Sequence, residues 1–335
     1  MSKERTNRIE ESFLSPFACR SKDTRGRARA ETPCSMRTDF QRDRDRIVYS
    51  KAFRRLKNKT QVFFSPDGDH YITRLTHTFD VAQIARSIAR ALALNEDLAE
   101  AIALGHDLGH TPCGHVGERT LNALCPSGFY HNEQSLRVVD VLEKEGKGLN
   151  LTFEVRNGIL EHKSSGHPAT LEGVAVSLAD RIAYINHDIE DAVRAGIVKE
   201  EDLPAYPLSV LGRDTSERIN TAITDIVRNS EGKDTVSMSE EAEKASRELR
   251  AFMFEAVYAR ANLDIQEKAE RMIEQTYTYF LKNAEKLPAL YRTLADRDGK
   301  ERAVCDYISS MTDRYAISVF EDIFVPKSFP LEGRG

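Results

Sequence analysis

The chain has 335 residues, of which 40% are hydrophobic and 30% charged, the composition of a globular protein rather than a disordered one. The net charge of -5 argues against nonspecific binding of duplex nucleic acid by the surface as a whole. Because no apolar stretch reaches about 18 residues and no signal-peptide core is present, we expect a cytoplasmic protein without membrane spans. The five cysteines contain no C-x-x-C pair, so we expect neither a disulfide framework nor a zinc finger.

The N-terminal segment 1–60 is predicted to form a basic arm that packs on the core. Residues 1–50 hold 12 Lys and Arg against 8 Asp and Glu, and the basic character continues through Arg54. Because segment 20–47 shows little periodicity, we expect a long loop or arm there. Such an arm is either a solvated surface or a site for phosphate, whose oxygens match the guanidinium fork; charge alone favours the solvated surface.

The next segment combines one weak strand signal with strong helical patterns. Residues 62–64 are apolar and precede the turn sequence SPDGD at 65–69, which is compatible with a small β-hairpin. Apolar residues at i, i+3 and i+4 then predict an amphipathic helix over 77–94. Asn95 is the expected N-cap of the next helix, which runs to about residue 110.

The remaining elements are also predicted to be helical. One amphipathic helix begins near Thr170 and keeps its apolar stripe to Val193. Further helical patterns cover about 214–229, 239–262, 264–285 and 301–320. We therefore expect an all-α fold, in which a core over 61–212 is followed by a C-terminal helical region of the same unit over 213–335.

All nine histidines lie between His70 and His187, and this concentration points to a functional site. Histidine titrates near neutrality and is the commonest metal ligand, whereas a lone histidine is usually structural. Residues 105–118, GHDLGHTPCGHVGE, contain three histidines, one Asp and one Glu. The alternative is a helix end with capping histidines, which leaves the carboxylates unexplained.

The spacing within this motif suits a metal site. His106 and Asp107 are adjacent, so on a helix their side chains diverge by about 100°, yet both can reach a metal off one edge. His110 follows His106 by four residues and lies on the same face. A helix break at 112–114 lets the next residues return toward the site. Imidazole and carboxylate ligands without thiolate suit Mn, Fe, Co, Ni, Zn or Mg rather than structural zinc.

Further ligands have to come from other helices. His77 lies at the start of the first amphipathic helix, and Asp180 lies within the helix that begins near residue 170. Asp180, Tyr184 and Asp188 recur every four residues on one face, apart from the apolar stripe. A solvated helix face would show the same pattern, so periodicity leaves both interpretations open.

These residues resemble the HD-domain metal phosphohydrolases, whose H…HD…D pattern would here be His77, His106, Asp107 and Asp180. The surrounding motifs are similar to those of the deoxynucleoside triphosphate triphosphohydrolase branch, which includes the bacterial deoxyguanosinetriphosphate triphosphohydrolase-like proteins. They are AFRRL at 52–56, KTQV at 59–62, RLTH at 74–77, HDLGHTPxGHxGE at 106–118, DRxxYxxxD at 180–188 and DYIxxMTD at 306–313. The similarity covers roughly residues 13–320, with one departure at Cys113, where an aromatic residue is expected.

The resemblance implies hydrolysis of a deoxynucleoside triphosphate, dGTP or several dNTPs, to the deoxynucleoside and tripolyphosphate. One divalent metal ion would be held by the four residues of the H…HD…D pattern. By the same resemblance, His115 transfers a proton, as acid or base, and Glu118 sets its tautomer or orientation. His110 would contact the phosphate.

The resemblance also implies a substrate site on the same face. Arg74 would bind the triphosphate with Arg181 assisting, Gln61 and Asp188 would hold the sugar 3′-hydroxyl, and Tyr184 would stack beneath the deoxyribose. The residues assigned to the substrate are Arg54, Gln61, Arg74, Arg181, Tyr184 and Asp188. Relatives are oligomers, so we expect a dimer-based homo-oligomer, such as a tetramer or hexamer, with an optional dNTP activator at a subunit interface.

Two other functions stay open. The first is an HD phosphohydrolase that acts on another nucleotide, such as a monophosphate, a cyclic nucleotide or a guanosine polyphosphate. The second is a nucleotide sensor or a single-stranded nucleic-acid binder with a degenerate site, in which nucleic acid would be a secondary ligand of a local basic groove. A purely structural helical protein would leave the histidine cluster unexplained.

Overall fold

The computed structural model describes residues 2–61, 71–258 and 263–326. In these ranges the regular secondary structure is helical, and pairing of the β type is limited to two isolated bridges. The predicted all-α fold is therefore confirmed. The hairpin considered at 62–69 lies outside the described residues, as does His70. Within the described ranges, no helix is both long enough and apolar enough to cross a membrane.

The helices are numbered here in chain order. The first nine are α1 (Ser2–Phe13), α2 (Asp39–Val48), α3 (Lys51–Arg55), α4 (Arg74–Ala91), α5 (Glu96–Gly105), α6 (Gly114–Leu124), α7 (His131–Arg137), α8 (Glu143–Gly146) and α9 (Phe153–Glu161). They are followed by α10 (Leu171–Arg194), α11 (Ala205–Leu211), α12 (Thr215–Ser230), α13 (Glu240–Met253), α14 (Leu263–Lys282), α15 (Ala289–Asp298), α16 (Lys300–Ser309) and α17 (Asp313–Phe324). Turns of 3-10 helix lie at Ser21–Asp23, Leu56–Asn58, Glu200–Asp202 and Ala284–Lys286, and π-helical turns lie at Val138–Leu142 and Phe254–Tyr258.

Helix α5 lies at the centre of the core, in contact with α2, α4, α9 and α10. It begins where predicted, because the Asn95 side chain accepts a hydrogen bond from the Leu98 backbone N–H (3.2 Å). Its small apolar residues let the neighbouring helices approach closely: a Cβ on Gly105 would lie 2.6 Å from Cδ1 of Ile159 on α9. The helix therefore ends inside the protein and delivers residues 106–110 to a buried position.

Two predicted helix boundaries are wrong, near residue 110 and within 301–320, whereas the pattern over 239–262 is helical as far as Tyr258. Helix α5 ends at Gly105 rather than near residue 110, and in the turn that follows, a Cβ on Gly109 would lie 2.2 Å from the Ser135 backbone nitrogen. The pattern over 239–262 gives α13, which passes into a π-helical turn; its last four residues lie outside the described ranges. The pattern over 301–320 is split by Thr312, which caps α17.

The C-terminal helices hold the loop that follows α5. Helices α14, α16 and α17 form an apolar cluster with α6, separate from the main core. Asp313, at the start of α17, accepts hydrogen bonds from the backbone N–H groups of Thr60 (2.9 Å) and Cys113 (3.0 Å). The buried Lys59 ammonium donates to the carbonyl oxygens of Ser309 (2.8 Å) and His110. Residues 306–313 therefore support the loop that follows α5 and do not themselves provide predicted metal ligands.

The N-terminal arm is tied to the core by buried polar contacts. One carboxylate oxygen of Glu172, at the start of α10, accepts from the backbone N–H groups of Cys19 (2.9 Å) and Asn95 (2.9 Å). Several arginines of the arm form ion pairs: Arg27 pairs with the buried Asp43 and Arg46 with Glu31 at 2.7 Å, both within the arm, and Arg44 pairs with Asp97 of α5 at 3.2 Å. Part of the basic charge of the arm is thus neutralised by its own carboxylates and by those of the core.

Candidate active site

Three segments bring the four predicted metal ligands together. His77 comes from the first turn of α4, His106 and Asp107 from the turn after α5, and Asp180 from the middle of α10. The Oδ1 atom of Asp180 lies 3.1 Å from His77 Nε2 and 3.6 Å from His106 Nε2. His106 Nε2 also lies 3.7 Å from Asp107 Oδ1. Four possible donor atoms therefore face one point.

The surroundings of His106 show that this point could hold a cation. Its Nδ1 is 2.6 Å from the Ala103 carbonyl oxygen, which can only accept, so Nδ1 carries a proton. Its Nε2 is buried without a hydrogen-bond partner and faces two carboxylates. Although desolvation opposes it, the charges of Asp107 and Asp180 raise the pKa of His106 to about 9. A divalent ion bound by two imidazoles and two carboxylates satisfies these groups, so the residues fit a metal.

Arg74 holds Asp107 in its ionised form. Its guanidinium NH1 donates to Asp107 Oδ2 at 2.7 Å, and NH2 donates to the Gln61 carbonyl oxygen at 3.3 Å. Both side chains of this pair are buried. Although burial alone would raise it, the positive charge of Arg74 keeps the pKa of Asp107 well below its usual range. Arg74, predicted to bind triphosphate, thus first of all orients a metal ligand.

Beside this cluster, four histidines and a glutamate form a chain across the protein. The ring of His110 stacks on that of His131, with centroids 4.6 Å apart, and lies 5.8 Å from the ring of His115. His131 Nε2 is 3.2 Å from His162 Nε2, and the ring of His162 lies 5.0 Å from that of His106. The histidine chain therefore reaches the metal ligands through His162.

Glu118 forms its hydrogen bonds with His131, and its predicted role beside His115 stays a prediction. Its carboxylate accepts from the His131 backbone N–H (3.0 Å) and from His131 Nδ1 (2.9 Å). Although burial opposes it, these hydrogen bonds lower the pKa of Glu118 to about 2. His115, one turn before Glu118, is exposed, and one of its ring nitrogens lies within 4.8 Å of the Glu118 carboxylate.

The hydrogen bonds assign one ring proton each to His162 and His131. His162 Nδ1 lies 2.8 Å from the Ile159 carbonyl oxygen and must donate to it. Burial and the neighbouring His106 lower the pKa of His162 to about 3, so His162 is neutral. His131 Nδ1 donates to the Glu118 carboxylate, and its Nε2 faces that of His162. Burial, assisted by the charge of Arg74, lowers the pKa of His110 and that of His115.

The predicted substrate residues are only partly brought to this site. Tyr184 follows Asp180 by one turn of α10, and Asp188 is buried one turn further on. Gln61 is buried and its Oε1 has no hydrogen-bond partner. Arg181 is turned away: both of its terminal NH groups donate to the Glu243 carboxylate of α13, at 2.9 and 2.6 Å. Arg54 is exposed on α3.

The departure at Cys113 has a structural role. Cys113 takes a left-handed conformation (φ 63°, ψ 23°) as the N-cap of α6 and packs in the C-terminal apolar cluster. Burial raises the pKa of its thiol well above the usual value, so the thiol stays protonated.

Sequence reasoning undervalued three histidines and missed one aspartate. His131 and His162 lie at a helix start and just after a helix end, where no periodic pattern marks them. His187 Nδ1 contacts His77 Nδ1 at 3.2 Å, and its Nε2 contacts Asp80 at 3.0 Å. The sequence spacing could have indicated the pair of His187 and Asp80. Asp80 follows His77 by one helical turn, and His187 follows Asp180 by two turns.

Comparisons with known proteins agree with this geometry. Residues 74–185 match the HD domain family, and residues 236–322 match a family described as a phosphohydrolase-associated domain. A protein of Caldanaerobacter subterraneus subsp. tengcongensis named deoxyguanosinetriphosphate triphosphohydrolase-like protein is 58% identical over 326 residues, which cover 97% of this chain and 96% of that protein. A Clostridium tetani protein with the same name is 47% identical over 337 residues and 97% of each chain.

One solved structure adds support for the fold alone. The crystal structure of a phosphohydrolase from Bacteroides thetaiotaomicron covers 83% of this chain and 67% of its own, with a TM-score of 0.51 and 20% sequence identity. At this identity the likeness concerns the helical architecture and not the substrate.

Proposed function

This chain belongs to the deoxyguanosinetriphosphate triphosphohydrolase-like proteins of the HD-domain family, and we propose that it hydrolyses deoxynucleoside triphosphates to deoxynucleoside and tripolyphosphate. The substrate would be dGTP or several dNTPs. The observation that supports the proposal is the buried point at which His77, His106, Asp107 and Asp180 converge and which could hold a cation. A divalent ion bound there would polarise the α-phosphate and lower the pKa of a water molecule.

His115 is the proton-transfer residue of this proposal. It lies beside His110 at the accessible edge of the site, where a nucleotide can reach it. Desolvation in the cleft and the charge of Arg74 lower the pKa of His115, so that its neutral form predominates near pH 7. A neutral imidazole is suited to accept a proton. The same ring nitrogen, once protonated, can donate that proton to the departing 5′-oxygen.

The substrate residues follow from the same arrangement. The proposal keeps Gln61, Tyr184 and Asp188 at the sugar and Arg74 near the phosphates. It drops Arg181, whose guanidinium is paired with Glu243, and adds His131 as a polar group beside the site. Lys163 adds a positive charge, with Nζ 3.9 Å from the Glu118 carboxylate and 4.7 Å from the centre of the Tyr130 ring. We further propose that the protein acts on the cytoplasmic nucleotide pool and forms a dimer-based homo-oligomer. A dNTP activator would bind at a subunit interface of this oligomer.

Product analysis tests the reaction. The full chain is stripped of metal, reloaded with Mn²⁺, Mg²⁺ or Co²⁺, and given each dNTP alone and all four together. We expect tripolyphosphate and deoxynucleoside in equal amounts, and a rate with the mixture that exceeds the sum of the single rates if an activator site exists. Pyrophosphate or orthophosphate as the product would instead identify an HD phosphohydrolase of another type. Metal binding with no turnover under any condition would indicate a nucleotide sensor.

A further inference from the structure

Two histidine–aspartate pairs link helices α4 and α10. His77 of α4 contacts Asp180 of α10 at 3.1 Å, and His187 of α10 contacts Asp80 of α4 at 3.0 Å. The two pairs meet where the Nδ1 atoms of His77 and His187 lie 3.2 Å apart. The result is a continuous line from Asp180 through His77 and His187 to Asp80. One end of the line lies at the metal ligands, and the other lies at the surface, where the Asp80 side chain is 51% exposed.

The hydrogen-bonding capacity of these groups allows one proton arrangement that is compatible with metal binding. With a metal ion between His77 and Asp180, His77 Nε2 would have to offer its lone pair to that ion, so the proton of the neutral ring would sit on Nδ1. That N–H can only donate to His187 Nδ1, which must then be an acceptor. The proton of His187 is therefore on Nε2, from which it is donated to the Asp80 carboxylate.

Asp80 disfavours the reverse arrangement when His187 is neutral. If His187 then donated from Nδ1 to His77, the lone pair of its Nε2 would face the Asp80 carboxylate, and two acceptors would face each other. His77 would carry its proton on Nε2, where it would donate to Asp180 and have no lone pair for a metal ion. For a neutral His187, the negative charge at the surface end of the line therefore favours the metal-binding tautomer at its buried end.

We propose that His187 and Asp80 are positioning residues for metal binding, which hold His77 as the Nδ1–H tautomer with its Nε2 lone pair directed to the site. A hydrogen bond from the second nitrogen of a ligating histidine is a general requirement for orientation and basicity. The inference rests on the metal site of the proposed function, and it is independent of the substrate and the products.

Direct measurement of metal affinity tests this role. Mn²⁺ is titrated into the metal-stripped full chain and followed by electron paramagnetic resonance, with thermal unfolding of the metal-free chain as the measure of folding. His187→Leu should weaken Mn²⁺ affinity 10–100-fold. His187→Gln keeps one acceptor and one donor, and its affinity should stay within about threefold of the wild type. Asp80→Ala should weaken affinity less than His187→Leu, about 3–10-fold, because water can partly replace an exposed carboxylate.

Asn186→Leu is the matched control. Asn186 is a buried polar neighbour on α10, but its side chain bonds the Ile182 carbonyl oxygen (2.8 Å) and Arg218 Nε (2.7 Å) rather than His77. It should lose stability and keep its metal affinity. Wild-type affinity in His187→Leu would overturn the proposal, as would an equal loss in His187→Leu and His187→Gln. If His187→Leu does not fold, the other two variants test the proposal: Asp80→Ala should weaken Mn²⁺ affinity, and His187→Gln should keep it within about threefold of the wild type.

The test of the positioning role can be distinguished from the test of the proposed reaction. A wild-type chain that binds Mn²⁺ and releases no tripolyphosphate would refute the proposed substrate, while the affinities of the variants would still test the positioning role. A wild-type chain that hydrolyses dNTPs, together with a His187→Leu variant of unchanged affinity, would refute the positioning role alone.

Discussion

The two halves of the site are built in different ways. The predicted metal ligands come from helices or from a turn directly attached to a buried helix, whereas His115 and Glu118 come from the first turns of α6, His131 from the start of α7 and His162 from the residue after α9. In the first half, the donor atoms are directed by the crossing of α4, α5 and α10. In the second, hydrogen bonds hold His131 and His162, and His110 and His115 are placed by ring contacts. Metal binding and proton transfer should therefore be separable by mutation.

The largest separation is expected for His106→Ala. Loss of the imidazole removes a ligand that no neighbouring side chain replaces, so metal and turnover should disappear together. A bound metal contributes several kcal/mol to transition-state stabilisation, and we expect at least about a 1,000-fold loss of kcat. Metal content and dNTP hydrolysis are measured on the same preparation. His167→Ala, which removes an exposed histidine of the same chain segment, is the control and should change neither quantity.

His115→Ala tests the second half of the site. The variant should bind metal and nucleotide like the wild type and lose kcat by about 100- to 10,000-fold, the usual contribution of a proton-transfer residue. Mn²⁺ titration and single-turnover hydrolysis measure the two properties separately. Loss of metal from this variant would show that the two halves of the site are not independent.

Glu172 offers a contrast with the carboxylates of the metal site, because its partners are backbone N–H groups rather than cations. Desolvation raises the pKa of Glu172 to about 7. A raised pKa in the folded state means that its contribution to stability is complete below the unfolded value of about 4.5 and is lost as pH rises through about 7. Relative to Glu172→Gln, the wild type should lose up to about 3 kcal/mol of unfolding free energy between pH 4.5 and 8. Parallel stability curves in urea would contradict this.

Glu118→Gln should have the smallest effect, and it distinguishes the predicted from the observed partner of Glu118. The variant removes the negative charge of the carboxylate that accepts from His131 Nδ1, and it should lower kcat about tenfold through the loss of one charge-assisted hydrogen bond. Because His131 rather than His115 is affected, the double variant Glu118→Gln/His131→Gln should be no slower than the slower single variant. Additive losses would restore the predicted link to His115.

Much of this molecule could be predicted from one sequence. Helical periodicity located α4 and α10, the Asn95 cap located α5, and the resemblance in motifs singled out His77, His106, Asp107 and Asp180 as a group. These features depend on spacing along one helix or on short contiguous motifs, where chain geometry determines which side chains share a face. The boundaries at Gly105 and Thr312 depended on close packing and capping, and periodicity does not report either.

The partners of the polar side chains were decided by the tertiary structure. Sequence spacing by itself determined that Glu118 and His115 lie one turn apart, that Asp180 and His187 lie two turns apart, and that Arg181 follows a ligand. The crossing of helices determined that Glu118 reaches His131, that His187 reaches His77 and Asp80, and that Arg181 reaches Glu243. The physical reason is the short range of a hydrogen bond: a partner must lie within about 3 Å, and that distance is determined by how helices distant in sequence pack together.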